Sequence, residues 1–286
     1  NYGLASLIYG LFISNLILIL MIFVYQIRHT YYEFNFIYIK SILSISLPTT
    51  PKILFGQLNA KVDKIFISIF SSIANTGIYS IAQSLSSIIF QIMTSLDKVF
   101  ITQTNKMLFN KDNKKIGKYL TSYIYFCSLP AIGLILLHDI VLATLIDSRY
   151  HGSENVIIIL SIYYFSLIFG KVSGTQLMYS KKVWLNTNFF IMNVSLNIVL
   201  NIPLIYFFGI VGAAIATLIA SSISLAFSIH YAKKYAPIFY NKKIISHIFI
   251  FIFLSSIYSI LINQNFIEIN ILENFVISLL VLTAFL

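Results

Sequence analysis

Apolar residues run through this chain in long blocks, and short polar segments interrupt them at nearly regular intervals. A helix needs about 20 mainly apolar residues to cross a bilayer. Windows of that length predict nine spans, at 3–25, 44–70, 78–102, 119–138, 155–178, 186–207, 210–231, 244–262 and 271–286. The expected fold is therefore all-α, a polytopic bundle of about nine transmembrane helices. Between the first two spans, QIRHTYYEFNFIYIK (26–40) is aromatic-rich and amphipathic, which predicts a stretch lying along the membrane interface.

Polar residues inside the spans break this pattern, and they do so in phase. Within 52–72, Leu54, Phe55, Leu58, Val62, Ile65, Phe66 and Ile69 share one arc of a helical wheel. Gln57, Lys61, Lys64 and Ser68 form a stripe beside it, and Lys52, Gly56, Asn59 and Asp63 form a second stripe on the other flank. An ionised side chain at the bilayer centre costs about 2.5–3.5 kcal/mol on insertion scales. The segregation therefore predicts one dry face and one face on a wet cavity, with snorkelling of Lys61 and Lys64 to an interface as the alternative. The next span carries Ser80, Gln83, Ser87, Gln91, Thr94 and Lys98 along one side. Asp97 and Lys98 sit near its lysine-rich end and read as an anchor. The span 186–207 carries Asn186, Asn193, Asn197 and Asn201 along one side, a pattern that suits a pathway or interhelical hydrogen bonds equally. Lys171 is a lone basic residue about two-thirds of the way through its span, and an intramembrane lysine is a functional candidate.

These residues together predict a hydrated, basic cavity suited to an anionic substrate. Its pathway candidates are Lys61, Lys64, Lys171, Gln57, Gln83, Gln91, Asn193 and Asn197. Asp63 has two roles open to it. Cations on both sides favour an ionised carboxylate that balances a lysine, while burial would suit an ion- or proton-coupling role.

Composition agrees with the pattern. Of 286 residues, 58% are hydrophobic and 10% charged, with a mean hydropathy of +0.88. The net charge of +10 could point to nucleic acid, but its distribution does not. Of the 19 basic residues, 13 lie in alternate loops, from Arg28 and Lys40 to Lys242 and Lys243. Arg149 is the sole basic residue of the opposite loops, beside Asp139, Asp147, Glu154, Glu268 and Glu273. The lysine-rich loops are thus expected on the cytoplasmic side. Asn1 then begins outside, as the continuation of a longer chain.

Enzymatic chemistry is not expected. No phosphate loop, zinc spacing or nucleophile elbow occurs, so no catalytic residue, cofactor or metal is assigned. The single cysteine, Cys127, reads as a small apolar residue, and His29, His138, His151, His230 and His247 read as interfacial. The loop holding Asp147 and Glu154 is too small for a glycosyltransferase site, and a polysaccharide polymerase would need a large outer loop.

The stretch SLPTTPKILFGQLNAKVDKIFISIFSSIANTGIYSIAQSLSSI (46–88) resembles polysaccharide-repeat flippases of the O-antigen (Wzx) type. These belong to the multidrug/oligosaccharidyl-lipid/polysaccharide (MOP) exporter superfamily. FFGIVGAAIATLIASSIS (207–224) is similar to the same family, and NYGLASLIYGLFIS (1–14) is similar to its sixth span. The resemblance implies two six-helix lobes around a central cavity. Residues 1–25 would be the last span of the first lobe, 26–43 a cytoplasmic amphipathic linker, 44–231 the second lobe, and 244–286 two extra helices. It further implies a multi-pass protein of the bacterial inner membrane. Such a protein would move an undecaprenyl-pyrophosphate-linked oligosaccharide to the periplasmic leaflet, coupled to a cation gradient. Its partners would be membrane lipids, the lipid-linked oligosaccharide and a polysaccharide polymerase. A multidrug exporter or a peptidoglycan-precursor flippase of the same superfamily is the alternative.

Overall fold

The computed structural model describes residues 3–29, 35–109, 113–147, 150, 152–264 and 270–285. Eight α-helices hold nearly all of them: α1 (Gly3–His29), α2 (Phe36–Phe70), α3 (Ile73–Phe109), α4 (Asn113–Leu145), α5 (Glu154–Tyr179), α6 (Val183–Tyr235), α7 (Lys242–Asn263) and α8 (Ile271–Phe285). No strand occurs among the described residues. Among the described residues six helices, α1 and α3 to α7, are long and apolar enough to cross a membrane. α8 is apolar but has only 15 residues.

The chain divides into two compact units, Asn1–Leu47 and Pro48–Leu286. The first holds α1 and the opening turns of α2. α1 is mainly apolar and ends near Arg28, whose positive charge suits the negative end of the helix dipole. Of the expected linker (26–43), residues 30–34 lie outside the described residues, and 36–43 form the opening turns of α2. Asn35 caps α2, its Oδ1 accepting from the Ile37 amide at 3.0 Å. The helix then runs on because 36–47 contains no glycine or proline to stop it.

In the second unit α5 is central, packing against α3, α4, α6 and α7, while α4 carries α7 and α8 on its other side. One apolar core lies where α4 meets its neighbours, around Tyr123, Ile132, Phe165 and Ile248. Another, around Ile67, Tyr79, Leu160 and Ala213, joins α2, α3, α5 and α6. The α2–α3 turn closes on Ser72, whose Oγ accepts from the Asn75 amide at 3.1 Å. The α5–α6 turn places Lys181 at φ 56°, and the Lys182 amide reaches back to the Leu177 carbonyl at 2.8 Å, a left-handed helix stop.

α6 contains both spans predicted at 186–207 and 210–231. Gly209 divides it at φ 58°, ψ −136°, a conformation open essentially to glycine alone. The two arms fold back on each other. Ser224 Oγ donates to the Phe189 carbonyl at 2.6 Å, and Asn197 donates to Thr217 at 2.9 Å. At Gly212 a Cβ would lie 1.8 Å from the Leu204 carbonyl oxygen, so only glycine fits this close crossing.

Candidate functional site

The helical period sets Asp63 on a different flank of α2 from Lys61 and Lys64, and that flank packs against α3 and α6. Asp63 is 3% exposed. Four side chains from α3 and the two arms of α6 surround its carboxylate. Tyr79 of α3 donates its hydroxyl to Oδ2 at 2.9 Å, and Thr217 donates to the same oxygen at 2.9 Å. Asn201 donates to Oδ1 at 2.8 Å and to Asn197 Oδ1 at 3.0 Å. Asn197 in turn donates to Thr217. The turn at Gly209 makes this possible, because it brings Asn197 and Asn201 of one arm against Thr217 of the other.

Asn201 can donate to the carboxyl, and the Tyr79 and Thr217 hydroxyls can each donate or accept, so the shell serves an ionised and a protonated Asp63 alike. Among the described residues Asp63 forms no ion pair. Lys61 is exposed and Lys64 half-buried, and the balancing of Asp63 by a neighbouring lysine is not seen. Consecutive side chains leave a helix about 100° apart, which turns these lysines away from the buried flank. Asn201 Oδ1, and Asn59 Oδ1 one turn before Asp63 on α2, are buried without a hydrogen-bond partner. The cluster thus holds a carboxyl without an ion-pair partner among the described residues and one idle amide oxygen on Asn201, with a second on Asn59 one turn away along α2. Carboxylate and amide oxygens are the ligand types that hard cations take. Among the described residues no group of three His, Cys, Asp or Glu could hold a transition metal.

Lys171 is not the unpaired cation that the sequence suggested. Its ammonium pairs with Asp97 of α3, which also accepts from the Tyr123 hydroxyl of α4. The ammonium lies 4.8 Å from the centre of the Phe90 ring. A cavity of about 10 Å³ beside the pair is lined by Thr104, Thr175 and Gln176, room for about one water. Asp97, read as an anchor, is thus the counter-ion of Lys171 from 74 positions away.

The remaining candidates separate. Gln91 is exposed on α3 with Ser84, Ser95 and Lys98, giving that helix a polar outer face. Gln83 and Asn193 are half-buried, and the side chain of Gln57 lies outside the described residues. Asn197 is 1% exposed and belongs to the Asp63 cluster. Asn201 lies on the asparagine face that the sequence marked for a pathway or interhelical hydrogen bonds, whereas two members of the cluster carried no clear signal. Thr217 sits in a run of small residues that reads as close packing, and Tyr79 is one aromatic among many.

His138 also departs from expectation. It is 1% exposed, held at the end of α4 opposite the lysine-rich ends and bonded to Ile135, Asp139 and Asn263 rather than facing an interface.

The long apolar helices make this a multi-pass membrane protein. The inward-closed structure of the lipid II flippase MurJ superposes on the whole chain with a TM-score of 0.72 at 20% identity, the chain covering 62% of that protein. An outward-facing multidrug resistance MATE family transporter of the MOP superfamily matches 77% of the chain with a TM-score of 0.52 at 19% identity, covering 52% of its own length. In sequence, the probable low-salt glycan biosynthesis flippase Agl15 of Haloferax volcanii is 22% identical over 203 residues, 70% of this chain and 43% of that protein. The chain thus spans about half the length of these relatives. The family described as polysaccharide biosynthesis protein matches residues 1–154, more than half of the chain. The chain belongs to that family.

Proposed function

We propose that this chain is the second lobe, with its two appended helices, of a transporter that flips an undecaprenyl-pyrophosphate-linked oligosaccharide repeat of the O-antigen type. The movement runs from the cytoplasmic to the periplasmic leaflet of a bacterial inner membrane, by alternating access. A cation bound at Asp63 drives it. The polar faces of α2 and α3, with Lys61, Lys64, Gln83, Gln91 and Lys98, form one wall of the substrate pathway and meet the negative diphosphate. The lipid-linked glycan and the surrounding lipids are the partners, and a polysaccharide polymerase consumes the product.

The observation that carries the coupling is the buried Asp63 carboxyl, bonded to Tyr79, Asn201 and Thr217 and without an ion-pair partner among the described residues. Burying an unpaired charge costs several kcal/mol even after relaxation. Three charge-assisted hydrogen bonds of about 1.5–3 kcal/mol each offset part of that cost. A monovalent cation removes the remainder without leaving a net charge. Asn201 serves both states by rotation of its amide, its NH2 satisfying the empty carboxylate and its oxygen turning to the cation. Because Asp63 draws ligands from α2 and both arms of α6, binding there fixes the relative placement of these helices. A gradient can thereby bias one arrangement of the lobe over another.

The test is flipping of a fluorescent lipid-linked oligosaccharide by the full-length protein in proteoliposomes. An imposed cation gradient should accelerate flipping by the wild type and leave Asp63→Asn at its ungraded rate. Equal acceleration of both proteins would refute the coupling. Transport of a drug cation, with no movement of the glycan, would refute the substrate.

A further inference from the structure

A second titratable cluster lies at the other side of α4, apart from the Asp63 site. His138 Nδ1 is 2.8 Å from the Ile135 carbonyl oxygen, and its Nε2 is 2.9 Å from Asp139 Oδ1. A carbonyl and a carboxylate only accept hydrogen bonds, so both ring nitrogens face acceptors. A neutral imidazole carries one N–H and would turn a lone pair against one of these oxygens. Only the imidazolium satisfies both. Nε2 also lies 3.1 Å from Asn263 Oδ1, an acceptor held in that orientation because the Asn263 NH2 donates to Asn155 Oδ1 at 3.3 Å.

We propose that His138 and Asp139 form a proton-binding latch that holds α7 and α8 against α4. The Ile135 carbonyl that meets His138 also accepts from Ser259 of α7 at 2.7 Å. Asp139 Oδ2 accepts from Asn274 of α8 at 3.2 Å, and Tyr258 of α7 donates to the same Asn274 at 3.1 Å. The imidazolium thus sits where the contacts of both appended helices converge. Around it, the titratable groups are few. α4 supplies Asp139 and α7 supplies the Tyr258 phenol. On α5, Glu154 is turned to the Gly152 amide, and on α8, Glu273 is turned to the Asn270 amide. Among the described residues the ion pair of Asp139 is with His138 alone. When the proton leaves, Asp139 loses its counter-charge and one ring nitrogen turns repulsive, so the latch loosens as pH rises. Asp139 is 22% exposed against 1% for His138, which gives the proton a way in from that end of the helix.

The experiment uses the full-length protein with ¹⁵N-labelled histidine, in lipid, with the His138 signal identified by its loss in His138→Gln. At about pH 7.5, where exposed histidines are mostly neutral, the His138 ring should carry hydrogen on both nitrogens. On further alkalisation it should lose one, and amide exchange in 271–285 should rise about tenfold through the same range. His138→Gln and Asp139→Asn should each show the fast exchange at every pH. A neutral ring at about pH 7.5, or exchange that stays flat while the ring titrates, would overturn the latch.

Discussion

Asn201 and Asp63 stand 138 positions apart in the chain and are joined by a hydrogen bond of 2.8 Å in a fully buried setting. The same amide nitrogen also bonds Asn197 one turn back, which leaves the Asn201 oxygen idle beside a carboxylate. That one side chain satisfies the charge in one orientation and offers a ligand in the other.

Opposite stability effects should follow from altering the two partners. In cation-free buffer, Asn201→Ala strips Asp63 of a charge-assisted bond and should destabilise the second unit by about 2 kcal/mol. Asp63→Asn removes the buried charge itself and should be neutral or stabilising under the same conditions. Thermal unfolding of the purified full-length variants measures both. A destabilisation of equal size in both would show that the carboxylate is not a charge burden.

The Lys171–Asp97 pair should behave as a unit. Lys171→Met or Asp97→Asn alone leaves a charge in the membrane without its partner, at about 3–5 kcal/mol. The double variant should recover much of that loss, a coupling that a double-mutant cycle by chemical denaturation would read. Additive losses would mean that the two groups do not depend on each other.

Gly212→Ala should be far more damaging than Gly133→Ala in α4. The first places a Cβ 1.8 Å from a backbone carbonyl oxygen, whereas the second meets nothing within 4 Å. A clash with backbone cannot be relieved by a side-chain rotation, so the arms of α6 must separate and the Asp63 cluster must open. The expected loss is about 3 kcal/mol or more at Gly212, against a slight gain from helix propensity at Gly133. Comparable melting temperatures for the two variants would remove the tight crossing from the account.

In the proposed pathway Lys61 and Lys64 meet the substrate, and neither has an ion-pair partner among the described residues. Replacing both with Gln should leave the melting temperature within about 1 °C, since surface changes of this kind fall within about 0.5 kcal/mol. Flipping of the diphosphate-linked glycan should fall about tenfold per lost charge-assisted contact. An unchanged flipping rate would take these lysines out of the pathway.

Much of the helical layout was legible because spans and loops alternate sharply in hydropathy. The break at Gly209 fell at the predicted boundary between two spans, where FFG interrupts the apolar run. The helical wheel also separated Asp63 from Lys61 and Lys64 correctly. The identity of its partners could not be read, because Thr217 and Asn201 come from the far end of the chain and only the fold brings them in. Lys171 looked solitary for the same reason, its counter-ion lying 74 positions away on another helix. His138 was misleading because its place near the end of a span suggested an interface, and α7 and α8 cover that end.

The central claim is that Asp63 holds the coupling cation, and equilibrium binding tests it most directly. Radiolabelled sodium binding to the purified full-length protein should saturate with one more site in the wild type than in Asp63→Asn. Sodium should also raise the melting temperature of the wild type, by the equivalent of about 2.7 kcal/mol at a hundredfold excess over Kd. In Asp63→Asn that contribution should vanish while the protein remains folded. Equal sodium stoichiometry and equal stabilisation in the two proteins would contradict the account.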